Sequence, residues 1–186
     1  LAMVAGFFLC VGVQGWRDRT VSDLVLLAPN VMPPLFLCLS LLSWFMPWRV
    51  FPYGLGAVIV AHVLLNSGLV AVSLDRMLHG RLAGLGETAW LMGASRGSVW
   101  RDVAWPVLRA DVSCLFLFIF SICLTSFSIP LLLGGGRWAT LEVAIFELIR
   151  SSGEWEKSVM LAACQSLLLF MLAWSLPQAF WPAPRG

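Results

Sequence analysis

The feature that most constrains this chain is a set of five stretches free of Asp, Glu, Lys and Arg: Leu1 to Trp16, Leu24 to Trp48, Val50 to Leu74, Val112 to Gly136 and Ser158 to Pro184. A bilayer core is about 30 Å thick and takes about 20 apolar residues to cross as a helix. Four of the runs exceed that length. The first, which opens at Leu1 without a start methionine, we read as the remainder of a longer run in an N-terminally truncated fragment. Hydrocarbon offers no water to peptide groups, so each run must satisfy its own backbone, which a helix does. A barrel is disfavoured because its strands alternate lipid-facing and lumen-facing residues, and these long runs do not. With 60% hydrophobic residues, 12% charged residues and a mean hydropathy of +0.88, the composition lies outside the soluble range. The expected fold class is all-α: a polytopic transmembrane helix bundle, one membrane domain over 1–186, with spans near 1–16, 24–48, 50–74, 112–136 and 158–184.

Charge placement sets the expected orientation. If the first helix ends inside, the inner loops hold Arg17, Arg19, Arg76, Arg81, Arg96, Arg101, Arg109 and Arg185, against Arg49, Arg137, Arg150 and Lys157 outside. Eight against four follows the positive-inside rule. The net charge of +2 gives no reason to expect a nucleic-acid partner. "PWRVFPYG" reads as a tight external hairpin. In "GGGRWATLEVAIFELIRSSGEWEKS", Leu141, Ala144, Ile145, Leu148 and Ile149 recur at helical spacing, which predicts an amphipathic helix at the outer surface or tucked against the bundle.

Between the third and fourth expected spans lies a polar insert, 76–111, much longer than a simple helix connection. "LGETAWLM" has a helical pattern carrying Ala89, Trp90 and Met92; Gly93 interrupts it; Ser95 is a candidate N-cap. "VWRDVAWPVL" then resumes with Val99, Val103 and Val107 on one face, and Pro106 limits this second helix or bends it into the next span. The insert therefore reads as two short helices meeting at a glycine on the arginine-rich side.

The spacing of Glu87, Ala89, Gly93, Val103 and Pro106 resembles the EAA loop of ABC-transporter permeases of the binding-protein-dependent import class: E-A-A, three residues, G, nine residues, I-x-L-P. Thr88, Val103 and Trp105 depart from that pattern. The resemblance implies a cytoplasmic two-helix coupling loop that docks on a dimer of ABC ATPase subunits. Glu87 would face a basic group there, with Ala89 in the first docking helix and Gly93 at the turn. Ser95 and Arg96 would lie on the docking surface, and Val103 and Pro106 would lead back to the membrane. The resemblance further implies a bacterial inner-membrane, multi-pass transport subunit that is not itself an enzyme. It carries no cofactor in this chain; ATP and Mg belong to the ATPase, and a periplasmic substrate-binding protein and a second permease half, fused or separate, complete the importer. Within the family, the feature order from about Leu24 onward is most similar to the N-terminal half of members that carry thiamine. Ferric-iron permeases share the layout, so ferric iron or another small solute is the alternative substrate.

Other residues leave alternatives open. His62 and Asn66 share one face of a span; they either fix helix packing or line the substrate path. Ser126 and Ser128, beside Pro130, either bond back to their helix near its outer end or mark a broken helix facing the path. Gly134 to Gly136 lack the G-K-[ST] ending of a nucleotide loop. The five cysteines lie in apolar runs and read as small hydrophobes. The tryptophans read as interface anchors, with an aromatic box for a cationic ligand as the alternative. No span-length run has an acidic residue in its interior, which argues against an intramembrane enzyme and weakens a non-ABC channel or carrier.

Overall fold

The computed structural model describes residues 1–13, 19–48, 53–82 and 84–174, without the side chains of Val13, Arg19, Trp48 and Glu87. Arg17, Arg49 and Arg185, part of the "PWRVFPYG" hairpin, and the expected span beyond residue 174 lie outside the described residues. Within them every regular element is helical. The order is α1 (Ala2–Val13), α2 (Arg19–Val31), α3 (Pro34–Phe45), α4 (Leu55–Arg81), α5 (Leu85–Leu91), α6 (Arg96–Ser98), a π-helical segment (Val99–Ala104), α7 (Trp105–Leu124), α8 (Ser128–Leu133), α9 (Leu141–Glu147) with a π-turn (Leu148–Ser152), and α10 (Trp155–Trp174).

α4 is the central helix. It has 27 residues, no proline, and His79 and Arg81 in its last turn, where positive charge complements the helix dipole. One of its faces packs Val70, Ala71 and Leu74 against Cys10 of α1 and Leu115 and Ile119 of α7. Another packs Ala61 and Leu65 against Cys38 of α3 and Ile129 and Leu133 of α8. Small residues let backbones approach, which is how membrane helices gain packing contacts when lipid is as apolar as their side chains. At Gly68 the α2 backbone lies so close that an added Cβ would overlap the Leu26 carbonyl oxygen; at Gly6 it would meet Val70 and the Ser67 carbonyl.

Among the described residues three helices are long and apolar enough to cross a membrane: Leu55–Arg81, Arg96–Leu124 and Trp155–Trp174. The stretch expected as one span over 24–48 is instead a pair, α2 and α3, bent by 91°. The cause is Met32-Pro33-Pro34. A residue before proline is pushed out of the helical region, Pro33 sits at φ −56°, ψ 134°, and Pro34 restarts the chain at the first position of α3. Asn30 fixes the bend by donating from Nδ2 to the Leu65 carbonyl at 2.7 Å.

The run 112–136 likewise differs from a straight span. Its helix starts earlier, at Trp105, ends at Leu124, and resumes as α8 after Thr125 to Phe127. Thr140 Oγ1 donates to the Ser126 carbonyl across this break at 2.7 Å. The amphipathic segment is tucked against the bundle rather than lying free: Val143 is buried, Phe146 meets Phe127 edge to face, and Gln165 of α10 donates to Glu142. α9 and α10 form a helical hairpin about Gly153, which has φ +63°.

Candidate functional site

The polar insert folds at the end of the bundle where α4 stops and α7 starts, here termed the loop end. α4 reaches Arg81, so the connection is shorter than 76–111. Gly84, at φ +80°, precedes α5, and Thr88 turns its hydroxyl back onto the Gly84 carbonyl at 2.7 Å. The residue that replaces an alanine in the motif thus satisfies its polar group within its own helix.

The turn after α5 is a Schellman motif. Gly93 N–H donates to the Trp90 carbonyl at 2.9 Å and Ala94 N–H to the Ala89 carbonyl at 3.0 Å, with Gly93 at φ +83°. Ser95 then caps the next helix, its Oγ accepting from the Ser98 N–H at 3.2 Å. Glu87 belongs to α5 by its backbone, and its side chain lies outside what is described.

Beyond Ser95 the structure differs from two short helices. Arg96–Leu124 is one continuous helix of 29 residues, and Pro106 neither ends nor limits it. A proline inside an α-helix loses one hydrogen bond and collides with the carbonyl four residues back. The π-helical turns of Val99–Ala104 precede it, the Trp105 N–H reaching back to the Trp100 carbonyl, and the helix passes into α7 with Pro106 in its first turn. Val103 is half-buried, Ala104 and Leu108 are buried, and Arg96 and Arg101 face outward. Arg101 pairs with its exposed neighbour Asp102 at 3.0 Å. Trp100 meets Phe7 edge to face, and Trp105 lines a cavity of about 160 Å³ with Phe7, Leu74 and Leu78.

The folded insert from Leu85 to Ala104, termed the knob, presents an apolar tip. Leu91 and Met92 are 89% and 84% exposed, and Trp90 is exposed beside them. The sequence pattern does not single out Leu91; its place next to the glycine turn is the local signal for its exposure.

Of the four path candidates His62 is the one that lines the cavity between α4 and α7. His62 lines a space of about 300 Å³ with Ile59, Val63, Phe116, Phe120 and Cys123, and its Nδ1 is buried without a hydrogen-bond partner. Asn66 points elsewhere: fully buried, it donates to the His62 carbonyl at 2.9 Å and approaches Cys123 Sγ at 3.9 Å. Ser126 and Ser128 sit at the helix break and do not line that cavity; in the turns just before it the Ser121 and Thr125 hydroxyls bond back to their helix.

Two acidic positions carry more than the sequence suggested. Asp111, counted with the loop, lies inside α7 with a side chain only 6% exposed, and its Oδ2 is 2.8 Å from Arg81 Nε. Glu142 is bound to Gln165, itself buried midway along α10. Among the described residues no cluster of His, Cys, Asp and Glu could hold a metal ion.

No family model matches the chain. The thiamine transport system permease protein of Escherichia coli is 31% identical over 186 residues, 98% of this chain and 31% of that protein. Its counterpart in Salmonella typhimurium is 32% identical over 139 residues, 73% of this chain and 26% of that protein. The chain belongs to the ABC importer permease family. A protein of Haemophilus influenzae named as a ferric transport system permease is 26% identical over 134 residues, so this permease is related to both branches. It spans less than a third of the length of these relatives. Its three long apolar helices make it a multi-pass membrane protein, and the glycine-turned knob emerges between two of them.

Proposed function

We propose that the chain forms part of the translocation path of an ATP-driven importer and takes its driving force through the knob. The observation that carries this reading is the coincidence, at residues 85–106, of the motif spacing with a Schellman turn and an exposed apolar tip at Trp90, Leu91 and Met92. A chain entering water gains nothing from exposing such a tip, whereas an apolar patch rimmed by charges suits a protein partner. The partner is the cytoplasmic ABC ATPase dimer, which binds ATP and Mg. Arg96 and Arg101, both exposed, supply charge for orienting the partner, and Glu87 is the motif carboxylate that would pair with a basic group there; Ala89, Gly93, Ser95, Val103 and Pro106 shape the knob.

Thiamine is the proposed substrate, supported by relatives named for thiamine transport at 31% and 32% identity. Ferric iron is the second reading, supported by the 26% relative. A periplasmic binding protein delivers the solute, a second permease half completes the path, and the protein resides in the bacterial inner membrane. His62 is the path residue with the strongest support, because its cavity lies between α4 and α7.

The test is co-purification and uptake with Glu87→Arg in the complete transporter. Loss of the ATPase together with uptake is expected. Normal assembly and uptake would remove the docking role. Competition of uptake by thiamine or by chelated ferric iron separates the two substrates.

A further inference from the structure

We propose that Arg81 and Asp111 form a positioning clasp that carries displacement of the knob from α7 to α4. This rests on the coupling role proposed above. The knob joins the two helices unequally. On one side Arg96–Leu124 is continuous, so a push on the docking surface reaches α7 through an unbroken helix. On the other, α4 ends at Arg81 and the chain passes through a turn at Gly84, φ +80°, before the seven-residue α5, which ends at a second left-handed glycine, Gly93. Glycine turns bend readily, so the covalent route from knob to α4 is soft.

The clasp bypasses that route. Arg81 is the last residue of α4, half-exposed; Asp111 lies in α7, its side chain 6% exposed, with Oδ2 2.8 Å from Arg81 Nε. A carboxylate held out of water depends on its partner charge, so α4 follows α7 where the two side chains meet. No donor is aligned on that oxygen as a hydrogen bond. Arg76, which pairs with Asp23 of α2 at 3.4 Å, lines a pocket of about 370 Å³ together with Arg81 and Asp111, so the third helix at this end is tied in as well. With their ends clasped at Arg81 and Asp111, α4 and α7 pivot about that point, and His62 on α4 and Phe116 and Phe120 on α7, which lie beyond it, change the cavity they line.

The test uses the full permease with its ATPase and binding protein in proteoliposomes, comparing Arg81→Ala, Asp111→Asn and the swap Arg81→Asp/Asp111→Arg. In the single variants the ATPase stays bound and substrate moved per ATP hydrolysed falls about tenfold, within the usual range of coupling between sites; the swap recovers most of it. Arg81→Lys, which keeps the charge, gives an intermediate loss and serves if Asp111→Asn does not reach the membrane. An unchanged ratio in the single variants overturns the clasp, as does a swap that assembles normally without recovery. Failure of the underlying coupling reading looks different: Glu87→Arg then leaves ATPase binding and uptake untouched.

Discussion

Gln165, buried midway along α10, holds Glu142 of α9 through a hydrogen bond of 2.7 Å. The bond, donated by the amide nitrogen, pins the returning segment against the bundle, and the amide oxygen of Gln165 is buried without a partner among the described residues. Polar side chains at membrane depth are costly unless paired, so this contact fixes which face of α9 turns inward.

Replacing Gln165 by Leu is expected to loosen the α9–α10 hairpin. A hydrogen bond to a carboxyl side chain contributes about 1.5–3 kcal/mol when the acceptor is charged, and the change also removes the unpaired oxygen, so a net loss near the lower end is expected. Faster proteolysis between Arg150 and Glu154, with α4 still protected, is the readout. Equal cleavage rates in variant and parent would show that the bond does not hold the hairpin.

Gly68→Ala is expected to separate α2 from α4, since its Cβ would occupy the place of the Leu26 carbonyl oxygen. Overpacking costs about 1–3 kcal/mol. Gly80→Ala, on the same helix with nothing within 4 Å, is the control and should gain about 0.5–1 kcal/mol from helix propensity. Thermal unfolding in detergent should lower the midpoint for the first and not for the second; equal midpoints would mean that α2 packs elsewhere.

These predictions also mark what the sequence could reveal. Gly93 and Ser95 were legible because a left-handed turn and an N-cap are local backbone chemistry, set within a few residues. The apolar runs were legible because membrane insertion is compositional. The 91° bend at Pro33 was written in the sequence too, but counting uncharged residues ignores backbone geometry. The break at Thr125 to Phe127 is one of two readings of Ser126, Ser128 and Pro130, but nothing local announces that Thr140 satisfies the Ser126 carbonyl, or that Asp111 has its partner Arg81 across the whole loop. Pro106, expected either to limit its helix or to bend it into the next span, does not limit it: the residue is accommodated just after the π-helical turns and the helix runs on into the span.

Gly93→Val is expected to abolish docking. A β-branched residue at φ +83° costs about 1–2 kcal/mol or more, and the two hydrogen bonds of the Schellman turn depend on that conformation. The variant should insert normally and lose the ATPase on purification. Retained ATPase would show that the turn geometry is dispensable for docking.

His62→Ala and Asn66→Ala should part company. Asn66 is 1% exposed and donates to its own helix, so its loss is a packing defect that lowers the unfolding midpoint. His62 faces the 300 Å³ cavity with an unpartnered Nδ1, so its loss should reduce uptake with little change in stability. The comparison requires both measurements on each variant. Uptake that falls only in proportion to lost stability for both residues would return His62 to a packing role.

Orientation is tested at Ser98, half-buried beside the cap of the helix that carries the docking surface. Under the positive-inside rule, eight basic residues against four predict that this end of the bundle faces the cell interior. In a background where the five native cysteines are replaced by serine or alanine, Ser98→Cys should resist a membrane-impermeant maleimide in intact cells and react once the membrane is opened. A second site, Trp138→Cys, lies at the opposite end, near Gly54, and half-exposed. It should show the reverse: labelling in intact cells. Because the two sites flank α7 and α8, their labels must disagree if that stretch crosses the membrane. Labelling of both from outside would mean that the segment from Arg96 to Trp138 returns to the side it entered from, and the knob could not then meet a cytoplasmic ATPase.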